Sequence, residues 1–243
     1  MCDFTMLDRK VYDRFVKLGE VIEIRALDCY GYSDAWEGYA KGIVSGYFDD
    51  HNLFSRGFLR LIKEDSRSGN LQIYQTLQVI DESLIGRAFN KLIPAKATTN
   101  DKDVKAYRWL PIDLDPVRKS GISSSDDEIE KARLLSENIY TFLKRENWPA
   151  PIRAMSGNGY HLLYPLDDLP AQDKGVQDMI KKKLGDLSNM FSNEHVHLDT
   201  SLYNPARIIK LYGTMARKGN HVPAGANRVG RPHRKSYIYD LGE

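Results

Sequence analysis

Hydrophobic and polar positions alternate most cleanly from Trp109 to Asp115, W-L-P-I-D-L-D. A period of two predicts a strand with Leu110, Ile112 and Leu114 on one face and Asp113 and Asp115 together on the other. Pro116 ends the run and leaves both carboxylates at the strand's C-terminal mouth. Strand-like runs also cover Val21–Leu27 and Gln72–Ile80, and Val196 and Leu198 alternate with His197 and Asp199. Helical spacing predicts helices over Phe54–Ile62, over Leu84, Ile85, Ala88, Phe89 and Leu92, and over residues 173–191 with Lys181, Lys182 and Lys183 exposed. Ser125 and Glu128 form an S-x-x-E capping box opening a helix whose Ile129, Ala132, Leu135, Ile139 and Leu143 make one core-facing stripe.

A hairpin lies between the last two helices. Asn158-Gly159 between extended flanks is a strong turn signal, both central residues requiring φ > 0. A two-residue turn there pairs Gly157 with Tyr160 and Ser156 with His161, which puts a hydroxyl beside an imidazole on one face. The glycines are read as leaving room for a phosphate against the backbone. Past Asp199, Asn204 is a good N-cap and Pro205 a good first helical residue. A short helix from there places Arg207 and Lys210 on one side. From residue 109 to 212 the order is strand, helix, hairpin, helix, strand. It predicts an α+β fold: an RRM-like sheet backed by helices over 109–243, with an N-terminal α/β lobe over 1–108, in one unit of 1–243.

Composition narrows the picture. At 243 residues and 42% hydrophobic, the chain can bury a substantial core. No apolar run is long enough to span a membrane and no signal peptide is evident, so the expectation is a cytoplasmic protein. Cys2 and Cys29 are too few for a structural zinc cluster, and no zinc is expected. The linker-like stretches are Ser120–Asp127 and Ala224–Arg234. Charge is unevenly distributed. Residues 201–243 hold eight Lys or Arg against two Asp or Glu, a net +6 in a chain whose total is +2, so residues 1–200 are net −4. A basic stretch adjoining a carboxylate cluster points to a polyanionic ligand. Two like-charged carboxylates on one strand face repel unless a cation sits between them, and hard oxygen ligands suit Mg²⁺ or Mn²⁺.

These motifs, in the order Asp-x-Asp, Ser-Gly-x-Gly-x-His, Asp, then Asn-Pro-Ala-Arg-Ile-x-Lys-Leu-Tyr-Gly-Thr, resemble the archaeo-eukaryotic primase superfamily. The resemblance is closest to the primase-polymerases of mobile elements, phages and CRISPR-associated loci. It extends to Val44–Asp49 (V-S-G-Y-F-D), Ala97-Thr98-Thr99 and the Asp-Pro-Val-Arg at 115–118. It implies a primase and DNA polymerase that joins nucleoside triphosphates on a single-stranded DNA template. Asp113, Asp115 and Asp199 would hold two Mg²⁺ or Mn²⁺ ions. Ser156, Gly157, Asn158 and His161 would meet the incoming triphosphate, supported by Arg207 and Lys210. Arg87, Lys91, Arg118, Arg217 and Lys218 are the candidates for contact with template or with an initiating nucleotide, and replication or CRISPR-adaptation proteins are the expected partners.

Two other readings stay open. His195-Val196-His197 has the His-hydrophobic-His form of rolling-circle nucleases, with Tyr237 or Tyr239 as nucleophile. The basic and aromatic residues alone would also suit a non-catalytic single-strand-binding module.

Overall fold

The computed structural model describes residues 3–226 and 228–242. Its helices are α1 (Arg9–Phe15), α2 (His51–Ser68), α3 (Asp126–Arg145) and α4 (Lys174–Phe191). Its strands are β1 (Ile22–Ser33), β2 (Trp36–Phe48), β3 (Gln72–Thr76), β4 (Val79–Ile80), β5 (Ile93–Pro94), β6 (Val104–Pro116), β7 (Ile152–Met155), β8 (Tyr160–Pro170), β9 (Val196–Leu198), β10 (Ile208–Lys210) and β11 (Tyr237–Asp240). They form two antiparallel sheets, β10-β3-β1-β2-β5 and β11-β7-β8-β6-β4, with β9 also on β6. The architecture is α+β. Within the second sheet the order β9-β6-β8-β7, joined through α3 and α4, is the split β-α-β-β-α-β arrangement that the element order predicts.

The alternation in β6 decides the layering. Leu110, Ile112 and Leu114 face a core shared with Ala132, Leu135, Ile139 and Leu143 of α3 and Ile180, Leu184 and Leu187 of α4. The opposite face carries Trp109, which joins Ile152, Ala154, Leu163 and Ile238 in a second core packed against the first sheet, α1 and α2. At the far end of that face, beyond the packed residues, stand Asp113 and Asp115. The predicted capping box is complete: the Ser125 hydroxyl accepts from Glu128 N at 3.3 Å and the Glu128 carboxylate from Ser125 N at 2.9 Å.

Several elements differ from expectation. The run Gln72–Ile80 is two strands in different sheets, because the chain crosses over at Leu77–Gln78. The Gln78 side chain bridges the crossing, accepting from Arg108 N and donating to Trp109 O. The helix expected through Leu92 is a 3₁₀ turn, Glu82–Arg87. The edge of β2 captures its backbone instead, Tyr47 N donating to Ala88 O and Asn90 N to Tyr47 O. The helix expected from Asn204 is absent. Asp199 caps a 3₁₀ turn over Thr200–Tyr203, and Ile208–Lys210 becomes an edge strand on β3. Since β4 lies in the second sheet and β10 in the first, the sheets do not divide at residue 108.

Candidate active site

Three strands bring the acidic and basic groups into one row. On β6, Asp113 lies directly opposite His161 of β8. On the other edge of β6, Asp199 N donates to Asp113 O at 3.0 Å, continuing the β9 ladder. Directly opposed residues share a face, so Asp199, Asp113 and His161 stand side by side. The next row holds His197 opposite Asp115. A cavity of about 360 Å³ opens above these rows, lined by Asp113, Asp115, Asp199, Ser156, Asn158 and His161. Its other wall is the first sheet, with Leu27, Gln72, Tyr74 and Lys210, and Arg118, Arg207, Arg217 and Lys218 also border it.

The Ser156–His161 hairpin is built differently from the sequence reading. Met155 pairs with Tyr160 and Ala154 with His161, so the expected Gly157–Tyr160 and Ser156–His161 pairings do not form. Ser156 N donates to Gly159 O, making Gly157-Asn158 the central pair, and the positive φ falls at Gly157 alone, +104°. Glycine at the first central position is the type II′ requirement. Moving the partner by two positions keeps side chains on their faces, which is why Ser156 still opens into the cavity. Neither glycine is there to admit a phosphate. A Cβ at Gly157 would lie 2.2 Å from Ala216 Cβ, and one at Gly159 would lie 2.2 Å from Leu114 O. Both serve close approach of neighbouring chain segments.

The electrostatics mark Asp113 and Asp115 as the strained pair. Burial, and then the charge of Asp113, push Asp115 up to about 6, with Arg118 opposing at 3.7 Å. Burial also raises Asp113, but the charge and close contact of His161 outweigh it and hold Asp113 below the ordinary carboxylate value. His161 Nε2 is 3.3 Å from Asp113 Oδ1 at an angle that misses a hydrogen bond, leaving that oxygen buried without a hydrogen-bond partner. His161 itself is 5% exposed, with Nδ1 2.7 Å from the buried Tyr212 hydroxyl. Tyr212 braces the ring from behind. Neither Tyr212 nor Tyr160 lines the cavity.

The residues present would fit a hard divalent ion in two respects: two carboxylates share one face, and Asp113 Oδ1 is buried without a hydrogen-bond partner. Asp199 is less available: its carboxylate accepts from Ser201 N at 2.8 Å and pairs with Arg207 at 3.3 Å. Among the described residues, no three His, Cys, Asp or Glu side chains are grouped closely enough to hold one ion.

The remaining candidates divide by how they are already bonded. Asn158 is 6% exposed, its amide oxygen accepting from Ser124 N and its amide nitrogen donating to Lys218 O, so it ties two neighbouring segments to the cavity wall. Lys210 lies on a strand, not on a helix with Arg207. Its ammonium donates to Ile73 O and Met215 O, and burial, with Arg217 nearby, lowers it to about 7 against the pull of Asp65. Arg217 is clamped to Asp65 of α2. Arg118 donates to Pro116 O and Ile122 O. Lys218 is exposed and makes no ion pair among the described residues. Arg87 and Lys91 do not line the cavity: Arg87 pairs with Asp103 and Lys91 with Glu37. Sequence reasoning missed Tyr74 on the facing wall, whose only signal was its place in a strand-like run.

The nuclease constellation does not assemble. His197 shares the face of Asp115 and His195 precedes β9, whereas Tyr237 pairs with Met155 and packs with Tyr239 into the core on the opposite face. β11 is also four strand positions from β9, roughly 19 Å at sheet spacing. Cys29 is buried in the second core, where burial pushes its thiol up to about 12, and Cys2 lies outside the described residues. Among the described residues, no helix is long and apolar enough to cross a membrane.

No family model matches the chain, and no curated protein does either. Among solved structures, the chain is similar to primase RepB′, with TM-score 0.46 and 11% identity, over 98% of this chain and 57% of that one. It is similar to the catalytic domain of RepB′ in complex with initiator DNA, with TM-score 0.46 and 11% identity, over 98% of this chain and 86% of that one. It is likewise similar to the primase-polymerase domain of cyanophage S-2L, with TM-score 0.46 and 11% identity, over 97% of this chain and 92% of that one. Likenesses this distant assign no activity to the present chain.

Proposed function

We propose that the cavity is the active site of a template-dependent nucleotidyltransferase, a primase-polymerase acting on single-stranded DNA. One observation carries the reading: Asp199, Asp113 and His161 stand in a single row across three strands, with Asp115 beside them, in a cavity rimmed by cations. A nucleoside triphosphate has the matching character, a polyanionic tail on a group to be transferred.

The residues take distinct parts. Asp113 and Asp115, with Asp199 adjoining, would hold two Mg²⁺ or Mn²⁺ ions. Bound there, such ions supply activation of the attacking 3′-hydroxyl and neutralisation of charge on the leaving pyrophosphate. His161 presents Nε2 to a phosphate oxygen, and Tyr212, bonded to Nδ1, fixes the ring's direction. The Ser156 oxygen accepts from Gly159 N at 3.0 Å, which leaves the hydroxyl hydrogen to donate to phosphate. Arg207 and Lys218 add positive charge at the rim, and Lys210 keeps one of its three donors for the triphosphate. The 3′-hydroxyl gives up its proton to solvent, and its oxygen forms a bond to the α-phosphorus as the bond from that phosphorus to the bridging oxygen breaks and pyrophosphate departs. His161 and the cations hold the tail in line for that displacement.

The test is nucleotide incorporation on an unprimed single-stranded template with labelled dNTPs or NTPs and Mg²⁺ or Mn²⁺. The Asp113→Ala/Asp115→Ala double variant is expected to lose incorporation by at least a thousandfold while its circular dichroism stays that of the wild type. Full activity in that variant would overturn the mechanism, whereas a wild type that binds the strand but incorporates nothing would favour a non-catalytic single-strand-binding module.

A further inference from the structure

The outward face of the β1–β2 hairpin carries more exposed aromatic surface than any other part of the described chain. Tyr30, Tyr32 and Tyr39 are 69%, 77% and 54% exposed, beside Ile43 at 40%. The pairing explains why they gather. Tyr30 lies opposite Lys41, and Tyr39 is two residues before Lys41 on the same face, while Cys29, Ala40 and Trp36 turn inward to the core. The Tyr32 and Tyr39 rings meet edge to face, centroids 5.2 Å apart at 77°. Three rings that a core would readily bury are held in water as one group, which marks an interaction surface.

The charges beside them indicate what they meet. Among the described residues Lys41 of β2, and Arg60 and Lys63 of α2, form no ion pair. Glu64 is taken by Arg67 and Ser33, and Glu37 by Lys91, leaving Asp34 as the unpaired acid at the tip. Arg60 and Lys63 border a groove at the hairpin tip together with Tyr32. An apolar partner would bury these cations unpaired, which costs several kcal/mol per charge in general, and the same face of a second copy offers only Asp34 against three cations. A polyanion with flat faces would satisfy rings and cations together.

The same face leads into the catalytic cavity. Leu27, the outward residue before the Asp28 bulge, pairs with Ile43 on one side and Gln72 on the other, and Leu27, Gln72 and Tyr74 line that cavity. One continuous sheet surface therefore runs from Tyr74 to the hairpin tip.

We propose that the Tyr30–Tyr32–Tyr39 face with Lys41 is a stacking platform for single-stranded nucleic acid, guiding a strand into the cavity. Bases stack on the phenol rings and phosphates follow the cations. Only the naming of that strand as the template rests on the nucleotidyl-transfer reading; the binding of a strand does not.

The experiment measures anisotropy of a 5′-fluorescein oligo(dT) twenty-mer at low salt, and separately the affinity for a fluorescent dNTP. Tyr30→Ala/Tyr39→Ala is expected to weaken oligonucleotide binding about 10-fold per ring, on the order of 100-fold in all, with dNTP affinity unchanged. Tyr30→Phe/Tyr39→Phe keeps the ring faces and is expected to bind within about threefold of wild type. Lys41→Glu should weaken binding and flatten its salt dependence. Wild-type affinity in the alanine variant, or no oligonucleotide binding by the wild type, would overturn the platform. So would a wild-type dimer that the alanine variant breaks in sedimentation while oligonucleotide binding is kept. If the alanine variant loses strand binding while the wild type incorporates no nucleotide, the platform stands and the nucleotidyl-transfer reading falls.

Discussion

At the scale of single residues, the carboxylate at 115 holds the most consequential tension. Its folded-state pKa, about 6, lies above that of an unfolded aspartate. Between the two values the folded state binds more protons, so this group's contribution falls as pH rises through the window from about 4 to 6. At neutral pH the charged Asp115 is therefore a net cost, which a cation bound there, as proposed, would relieve. Asp115→Asn is expected to raise stability at pH 7 without divalent ions by on the order of 1 kcal/mol, once screening of a 40%-exposed side chain is allowed for. The gain should shrink at pH 4. Chemical denaturation at the two pH values checks it, and a variant no more stable than wild type at pH 7 would show that the charge is already compensated.

At the scale of elements, the hairpin of β7 and β8 sets how the site closes. Gly157 combines a left-handed φ with a neighbour where its Cβ would go, and the segment it touches, around Ala216, carries Arg217 and Lys218. Asn158 ties the same turn to Ser124 before α3 and to the Lys218 carbonyl. Gly157→Ala combines backbone strain with a clash and should destabilise the protein by about 2–4 kcal/mol. Hydrogen exchange would then show loosened amides at Ser156–Gly159 and Ala216. A variant with the stability and exchange pattern of wild type would mean the turn adapts without displacing the basic segment. The 3₁₀ turn at Thr200–Tyr203 has a comparable role, since its cap is Asp199 itself. Both the carboxylate's position and its availability follow from that turn.

At the scale of the whole molecule, the cavity lies where the end of β6 in the second sheet faces β1, β3 and β10 of the first. Arg217 spans the junction to the buried Asp65 of α2, and Lys210 on β10 brings the C-terminal half onto the first sheet. Removing the cation leaves Asp65, 4% exposed, without its ion-pair partner. Arg217→Ala is expected to cost about 3 kcal/mol, more than the Asp65→Asn/Arg217→Ala double variant. Equal losses from the two variants, measured by thermal or urea unfolding, would show that Asp65 is satisfied by its other neighbour, Leu71 N.

Local chemistry settled a good part of this protein on its own. The period of two at 109–115, the capping box at Ser125 and the apolar stripe of α3 are short-range patterns, and each folds as its spacing requires. The convergence of Asp113, Asp115, Asp199, Ser156 and His161 on one face was legible too, because strand alternation survives a two-residue change of register. Tertiary structure decided the rest. Which backbone an edge strand captures determined the fate of Ala88–Asn90 and of Ile208–Lys210, since a long-range ladder outcompetes a weak local helix. It also determined that Arg87, Lys91, Arg217 and Asn158 are already committed to neighbours, as no sequence pattern reveals the partner of a surface charge. The exposed tyrosines are the same case in reverse: strand spacing aligns them, but only the packed sheet shows that nothing covers them.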